Sequence, residues 1–215
     1  MKKLNVDMVS DLMCPWCALG LQALEQALTL LGDELEVELR FRPFELNPEA
    51  PLEGIPVFDN MASKYGLARE QVLANFARIT DLGLALGFTF NMEKRSHYYN
   101  SFDAHRLLHW AGEQGGQLAL KKALLAGYFT DAQNLGDHQV LADIAQQAGL
   151  DRQQALAMLA SDRYRQEVRQ AKAKYRQLGV RSIPTLVIND QYQIVGSQSP
   201  ADYVQLLREL ANKLA

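Results

Sequence analysis

The sequence predicts an α/β protein in which a long, all-helical segment interrupts a small sheet. Three observations favour this fold class. Alternating hydrophobic strands occur near both ends of the chain, and helical periodicity dominates residues 60–178, where strand signals vanish. A length of 215 residues suits one domain that carries a large insertion. We therefore predict a frame domain from residues 1–59 and 179–215, and a helical insertion domain from residues 60–178.

The N-terminal part of the frame has the pattern strand, helix, strand. Residues 3–10 alternate loosely between apolar and polar and predict a short strand. Residues 18–31 carry apolar side chains at helical spacing. Pro15 lies near the start of this helix, where its missing N–H is tolerated, and Gly32 is a typical helix end. Residues 36–41 alternate again and predict the second strand.

The C-terminal part of the frame has the pattern of a hairpin followed by a helix. Residues 185–188 and 192–195 are strand-like runs separated by a polar turn. Residues 201–214 predict the final helix, with Ser199 as its N-cap and Pro200 at its first position. The predicted order is β–α–β, helical insertion, β–β–α.

The insertion contains several helices in succession. Asp137, Asp151 and the pair Ser161-Asp162 are predicted to mark the starts of three of them. A proline-rich loop leads into the insertion and cannot be regular throughout. The predicted helices cover residues 69–86, 102–113, 117–129, 138–149, 152–160 and 163–178.

The composition excludes several classes of protein. Hydrophobic residues make up 48% and charged residues 22%, with a net charge of -3, so no nucleic-acid partner is expected. The basic residues between Arg163 and Arg176 alternate with Glu167, which favours a solvated helix face. No apolar run approaches the length of a membrane span, and polar residues interrupt the N-terminus where a signal peptide would be apolar. We therefore expect a cytoplasmic protein with no membrane partner.

Cys14 and Cys17 are the only cysteines, and two residues separate them. In a reducing cytosol such a pair is more often catalytic or metal-binding than structural. The pair follows a predicted strand and opens a predicted helix, whose N-terminal N–H groups and partial positive charge stabilise a thiolate at Cys14. Cys17 lies one turn further on and can reach the Cys14 sulfur. It is therefore the predicted resolving thiol.

Two other interpretations of the cysteine pair stay open. A structural zinc site needs four ligands, and no histidine stands in a paired ligand spacing with the cysteines, so no metal is expected. The second interpretation is an inert buried pair. The histidines of the chain are His97, His105, His109 and His138.

Pro184 stands at the entrance to the predicted strand of residues 185–188. Bonds that precede proline are the only common cis peptides. A cis bond here would turn the backbone N–H and C=O of Ile183 outward, where they could pair with an extended substrate. The local sequence alone favours the ordinary trans bond at a strand start.

Five segments, taken in this order, resemble a known family. They are Asp11 with Cys14-Pro15-Trp16-Cys17, residues 44–48, Asn100 with residues 104–107, residues 180–185 and residues 196–200. Over nearly its whole length the chain resembles the DsbA-like branch of the thioredoxin superfamily, and FrnE-type proteins in particular. These are relatives of 2-hydroxychromene-2-carboxylate isomerases and kappa-class glutathione transferases. The resemblance implies a thioredoxin fold with a large all-helical insertion, and a cis-Pro184 packed against the cysteine pair.

The resemblance also implies a thiol–disulfide oxidoreductase in which Cys14 attacks, Cys17 resolves and Pro184 positions the substrate backbone. Its partner would be a thiol or disulfide, either a protein or a small molecule, and a monomer or a homodimer is compatible with the sequence. No bound cofactor is expected, and glutathione is a possible co-substrate. Trp16 replaces the histidine that DsbA carries between its cysteines. We therefore expect a reduction potential between about -270 mV, the thioredoxin value, and about -120 mV, the DsbA value.

Six further residues are predicted to contact substrate. Ser197 and Gln198 lie just before the last helix, whose N–H groups can bind a carboxylate such as that of glutathione. His105 could shuttle protons, although a hydrogen-bonded structural role is the favoured interpretation. The set consists of Pro15, Trp16, Ile183, Ser197, Gln198 and His105.

Two other functions remain open at this point. In a glutathione-dependent isomerase or transferase of the same fold, Cys14 would only contact the glutathione sulfur, although such relatives usually have serine there. Cys17→Ser separates the two, because it should cripple a dithiol cycle and spare an isomerase. In a chaperone-like, client-binding module, the helical insertion would supply an apolar groove. Suppression of aggregation by a protein with Cys14→Ala and Cys17→Ala would favour that function.

Overall fold

The structure is a computed structural model that describes residues 2–51 and 53–214. The strands are β1 (Lys2–Ser10), β2 (Leu35–Pro43), β3 (Ile55–Pro56), β4 (His97–Tyr98), β5 (Thr185–Ile188) and β6 (Tyr192–Val195). The helices are α1 (Pro15–Leu31), α2 (Val57–Tyr65), α3 (Arg69–Ala85), α4 (Phe102–Glu113), α5 (Gln117–Phe129), α6 (His138–Gln147), α7 (Arg152–Leu159), α8 (Arg165–Gln177) and α9 (Pro200–Lys213). Within those two ranges, no helix is long and apolar enough to cross a bilayer.

The main sheet joins the two ends of the chain. Its strand order is β2-β1-β5-β6, with β1 parallel to β2 and antiparallel to β5. In the antiparallel pair, Val9 lies opposite Thr185. The chain that leaves β1 and the chain that enters β5 therefore lie side by side at the same end of the sheet. This register brings Cys14 and Pro184 to one place, although they are 170 positions apart in the sequence.

Helix α1 begins and ends where local chemistry dictates. Cys14 is its N-cap and Pro15 its first residue. Gly32 caps the C-terminus with a φ of 49°, a left-handed backbone that favours glycine. Helix α1 packs against α9. Ser199 caps α9 by accepting a hydrogen bond from the Asp202 amide at 3.1 Å, so that predicted cap is confirmed.

The helices of the insertion follow the predicted pattern closely. Helices α4 and α5 have the predicted bounds, and α3, α6 and α7 end one or two residues early. Asp137 and Asp151 cap α6 and α7, and each carboxylate accepts a backbone N–H at 2.7–2.8 Å. The predicted cap at Ser161-Asp162 is wrong. Helix α8 begins only at Arg165, after Tyr164, whose φ of 63° interrupts the helical turn.

Two short features were not predicted. Helix α2 follows the proline-rich loop and buries only Val57 and Asn60, too few for a clear helical pattern. It also crosses the predicted domain boundary after residue 59. Strands β3 and β4 form a second, two-stranded antiparallel sheet, so the expectation that residues 60–178 contain no strand is wrong. Strands of two residues are too short to show alternation.

Strand β1 is buried on both sides because α8 covers the side that carries Asp7. The Asp7 carboxylate is only 2% exposed. It accepts hydrogen bonds from Arg40 Nε and Arg42 Nε, both at 2.9 Å, and from the Tyr175 hydroxyl at 2.6 Å. Burial, with the Asp7 hydrogen bond added, raises the pKa of Tyr175, which therefore stays a donor. A buried carboxylate is tolerated here because it is fully paired.

Candidate active site

Cys14 and Cys17 lie at the N-terminus of α1, and both thiols are free. The Cys17 amide donates to the Cys14 carbonyl at 3.0 Å, which closes the first turn of the helix. Cys14 is 5% exposed and lines a cleft, whereas Cys17 is fully buried beneath it. Only Cys14 is therefore placed to meet an incoming sulfur.

The environment of Cys17 keeps its thiol protonated. Burial raises its pKa well above the usual range, and the hydrogen bond and charge of Cys14 raise it further. The positive charge of Lys121 acts in the opposite direction. The outer thiol, which lines the cleft, and the inner, protonated thiol form an asymmetric pair.

Pro184 packs directly against α1. The peptide bond between Ile183 and Pro184 is cis, as the resemblance implies and contrary to the preference of the local sequence. A Cβ on Gly20 would lie 3.0 Å from Pro184 Cγ and 3.5 Å from Ser197 Oγ, so the absence of a side chain at Gly20 permits this packing. Within the described residues, neither backbone polar group of Ile183 has a hydrogen-bond partner.

The cleft beside Cys14 has a volume of about 480 Å³ and a largely apolar lining. It runs between the start of α1, helices α2 and α3, and the loop before Pro184. Met13, Pro15, Trp16 and Ile183 contribute to its walls. Three arginines also line it, and its described lining residues include no carboxylate. These arginines are Arg78, Arg95 and Arg181.

Asp11 holds the backbone next to the cysteines through hydrogen bonds of its buried carboxylate. It is fully buried, and its carboxylate accepts hydrogen bonds from the amide of Leu46 at 2.7 Å and the hydroxyl of Tyr98 at 3.3 Å. Burial by itself would raise the pKa of Asp11. The hydrogen bond and charge of His105, aided by the Leu46 amide, outweigh burial and hold that pKa below its usual range. Asp11 is therefore a buried, paired anion.

His105 lies behind the site and does not line the cleft. Its Nε2 is 2.9 Å from the Phe44 carbonyl and 3.5 Å from Asp11 Oδ1. Both neighbours are acceptors, so Nε2 carries a proton and donates to them. In this structure His105 ties the loop that follows β2 to Asp11. This geometry supports the structural interpretation over a proton shuttle.

Ser197 and Gln198 lie in the segment between β6 and α9. Ser197 faces Gly20 and Pro184, whereas the Gln198 amide donates to the Val195 carbonyl at 2.9 Å. Neither residue lines the Cys14 cleft. The structure thus brings Pro15, Trp16 and Ile183 to the cleft and leaves Ser197, Gln198 and His105 outside it; contact with substrate remains a prediction for all six.

Lys121 is a buried cation that was not predicted from the sequence. It projects from α5, is fully buried, and donates to Ser10 Oγ at 3.0 Å. Burial lowers its pKa, while the charges of Cys17, Asp11 and Cys14 act to raise it. Leu124 and Leu125 stand three and four residues after Lys121, so the helical spacing of apolar residues could have placed Lys121 on the buried face of α5.

Two residues of the segments that carry the family resemblance have structural roles. Asn100 donates to the carbonyls of Pro48 at 3.1 Å and Ala50 at 3.2 Å. Arg106 is fully buried and donates to the Asp103 carboxylate at 2.9 Å. Its other N–H groups bond to four backbone carbonyls at the end of α7 and before α8, namely those of Met158, Leu159, Ser161 and Arg163.

Comparisons with known proteins agree with this geometry. The crystal structure of a Streptomyces coelicolor protein named as a probable DsbA oxidoreductase has a TM-score of 0.88 to this chain and 34% sequence identity, over 96% of this chain and 89% of that one. A 2-hydroxychromene-2-carboxylate isomerase superposes with a TM-score of 0.68 and 14% identity, over 98% of this chain and 95% of that one. At such low identity the likeness concerns the fold alone.

The cytosolic disulfide reductase DsbM from Pseudomonas aeruginosa, whose structure was determined with GSH, is similar in the same way. Its TM-score is 0.64 at 14% identity, over 97% of this chain and 99% of that one. The model of the DSBA-like thioredoxin domain matches residues 5–208, which spans the frame and the insertion together. The predicted thioredoxin fold with a large helical insertion is thereby confirmed, although the insertion also contains the short strand β4. The chain belongs to the family of DSBA-like thioredoxin domains.

Proposed function

We propose that this protein is a dithiol–disulfide oxidoreductase that works through Cys14 and Cys17. One observation carries the proposal. The pair combines a thiol at the N-cap of α1, open to an apolar cleft, with a buried thiol one turn behind it. The helix N-terminus favours an anion at Cys14, whereas burial raises the pKa of Cys17. Such asymmetry is what a nucleophile and a resolving thiol require.

The proposed reaction transfers two electrons in two exchanges. The Cys14 thiolate attacks one sulfur of a substrate disulfide, forms a mixed disulfide and displaces the first substrate thiolate. Cys17 then loses its proton and attacks the Cys14 sulfur. This closes the Cys14–Cys17 disulfide and releases the second substrate thiolate. The reverse sequence oxidises a substrate dithiol.

The unpaired backbone groups of Ile183 support a second part of the proposal. They lie beside the cleft, next to Pro184. An extended substrate segment could pair with them as an added strand. We propose thiol or disulfide partners and, by analogy with the cytosolic, GSH-containing DsbM structure, a cytoplasmic setting with glutathione as a co-substrate. No bound cofactor is needed for this chemistry.

The test is the reduction potential of the cysteine pair. The protein is equilibrated in glutathione buffers of stepped redox ratio, and free thiols are trapped and counted. We expect a reversible two-electron transition between about -270 and -120 mV. Cys17→Ser is the matched control: it should retain a mixed disulfide at Cys14 and form no internal disulfide. If the wild-type protein forms no Cys14–Cys17 disulfide at any ratio, the proposal is wrong.

A glutathione-dependent isomerase is the second candidate, favoured by the apolar character of the 480 Å³ cleft, which suits a small organic substrate. In that reaction Cys14 would contact the glutathione sulfur and Cys17 would have no step to perform. Isomerase turnover that survives Cys17→Ser, in a protein whose disulfide exchange is lost, would favour this candidate.

A further inference from the structure

Arg95 is a buried cation in the wall of the Cys14 cleft. It lies in the loop before β4 and is 5% exposed. Its guanidinium lies 5.1–5.2 Å from the ring centroids of Phe76, Tyr128 and Phe129. Its Nη1 donates to the Tyr128 hydroxyl at 3.3 Å. Among the described residues, these rings and this one neutral acceptor are the contacts that stabilise the charge.

The Arg95 guanidinium lacks hydrogen-bond partners for two of its nitrogen atoms. Its Nε and Nη2 are buried and have no hydrogen-bond partner among the described residues. Buried polar groups without a partner cost about 1–3 kcal/mol, and more when they are charged. Cation–π contacts offset part of that cost but offer no acceptor for an N–H group. An acceptor supplied by a bound ligand would complete the site.

The rest of the cleft selects for the same kind of ligand. Arg78 and Arg181 line it, Arg78 at 5.0 Å from the Trp16 ring centroid, and none of the described lining residues is acidic. The remaining lining is mostly apolar, and its volume of about 480 Å³ suits a small molecule. A ligand that matches this cleft has an apolar body and a negative charge.

We infer that Arg95 binds a carboxylate on a small, apolar disulfide or thiol substrate that occupies the Cys14 cleft. The inference rests on the proposed function, because it names the substrate class of the same site. The Nε and Nη2 atoms are closed to solvent in this structure, so the guanidinium must turn towards the cleft to meet the carboxylate. A planar guanidinium can hold both carboxylate oxygens at once.

Two aromatic disulfides test the inference, since only one of them carries carboxylates. They are dithiobis(nitrobenzoate) and dithiodipyridine. Each accepts two electrons from the Cys14–Cys17 dithiol, which becomes a disulfide while two aryl thiols are released. Rates are measured at fixed ionic strength with the wild-type protein, Arg95→Met and Arg208→Met. Arg208 is the matched control because it is an exposed arginine paired with Glu34, outside the cleft.

We expect Arg95→Met to slow the reaction with dithiobis(nitrobenzoate) by about tenfold to a hundredfold, the range for a hydrogen bond to a charged group. Its reaction with dithiodipyridine and both reactions of Arg208→Met should stay close to wild type. An equal loss with both disulfides would overturn the inference, because Arg95 would then act only through the fold. If neither disulfide oxidises wild-type Cys14, the proposed function itself fails.

A competition experiment needs no variant and decides the matter if Arg95→Met does not fold. Nitrobenzoate and its neutral amide are each added to the wild-type protein during its reaction with dithiodipyridine. We expect nitrobenzoate to slow the reaction and nitrobenzamide to have little effect. Equal inhibition by the two compounds, or none by either, would overturn the inference.

Discussion

Replacing Lys121 by methionine should make the protein more stable and should slow the redox cycle proposed for Cys14 and Cys17. Lys121 is fully buried, and its hydrogen bond to Ser10 Oγ at 3.0 Å is to a neutral group. Replacement of buried ion pairs by apolar residues of similar volume often stabilises proteins by about 1–4 kcal/mol, and removal of this single buried charge relieves the same kind of desolvation cost. The Ser10 hydroxyl loses a partner, which costs about 1 kcal/mol. The difference between these two figures is a net gain of about 0–3 kcal/mol at neutral pH.

The stability difference should depend on pH with a defined sign. Burial lowers the pKa of Lys121 in the folded protein, whereas the unfolded chain keeps the ordinary value of about 10.4. Between these two values the unfolded state binds more protons, so wild-type stability rises with pH. Methionine has no such dependence. The advantage of Lys121→Met should therefore shrink as pH approaches 10, which urea unfolding of the reduced protein at several pH values will measure.

The kinetic effect comes from Cys17. The positive charge of Lys121 lowers the pKa of Cys17 in part, so its removal leaves less Cys17 thiolate at a given pH. Each pH unit by which that pKa rises lowers the thiolate fraction about tenfold. Stopped-flow kinetics should show slower release of the mixed disulfide and a smaller effect on the first attack by Cys14, whose charge interacts with Lys121 more weakly than that of Cys17 does. A variant that is less stable at every pH, or releases substrate at the wild-type rate, would refute this reasoning.

Three further substitutions test the supports of the site. Asp11→Asn removes a paired anion and should lower the free energy of unfolding by about 2–4 kcal/mol. Because the pKa of Asp11 is lowered in the folded protein, the stabilisation by its carboxylate is present above about pH 3.9 and is lost on acidification. Urea unfolding at several pH values should therefore show the difference from wild type disappear in acid. Arg106→Met should cost about 3–5 kcal/mol by the same assay, since five hydrogen bonds to other parts of the insertion are lost. Gly20→Val places a branched side chain where Pro184 Cγ would lie 3.0 Å from the Cβ, so thermal unfolding should show a loss of about 1–3 kcal/mol, with slower disulfide exchange.

Local signals were sufficient for most elements of the fold. Helices α4 and α5 were predicted to the residue because their apolar side chains repeat at helical spacing, and Asp137 and Asp151 cap their helices with the expected bonds. Gly32 and Pro15 mark the ends of α1 for reasons of backbone geometry alone. Helix α2 was missed because Val57 and Asn60 are its only fully buried residues, so it has little amphipathic pattern.

The candidate site was predictable only where its residues are adjacent in sequence. The spacing of Cys14 and Cys17 identified the thiol pair, whereas the conformation of Pro184 followed from the family resemblance and not from its neighbours. Arg95 and Lys121 could not be identified in this way. Their significance lies in burial without a carboxylate partner, which is a property of the packed structure.

The cysteine pair and the charged side chains around it come from different parts of the fold. The frame supplies Cys14, Cys17 and Pro184, which we propose as nucleophile, resolving thiol and substrate-positioning residue, and the pairing of β1 with β5 holds them together. The helical part of the chain supplies Lys121 from α5 and Arg95 from the loop before β4. Lys121 acts on the proton affinity of Cys17, whereas Arg95 is proposed to act on ligand charge. If both proposals hold, substitutions in the insertion will change the rate and substrate class of the cysteine pair while Cys14, Pro15, Trp16 and Cys17 stay constant.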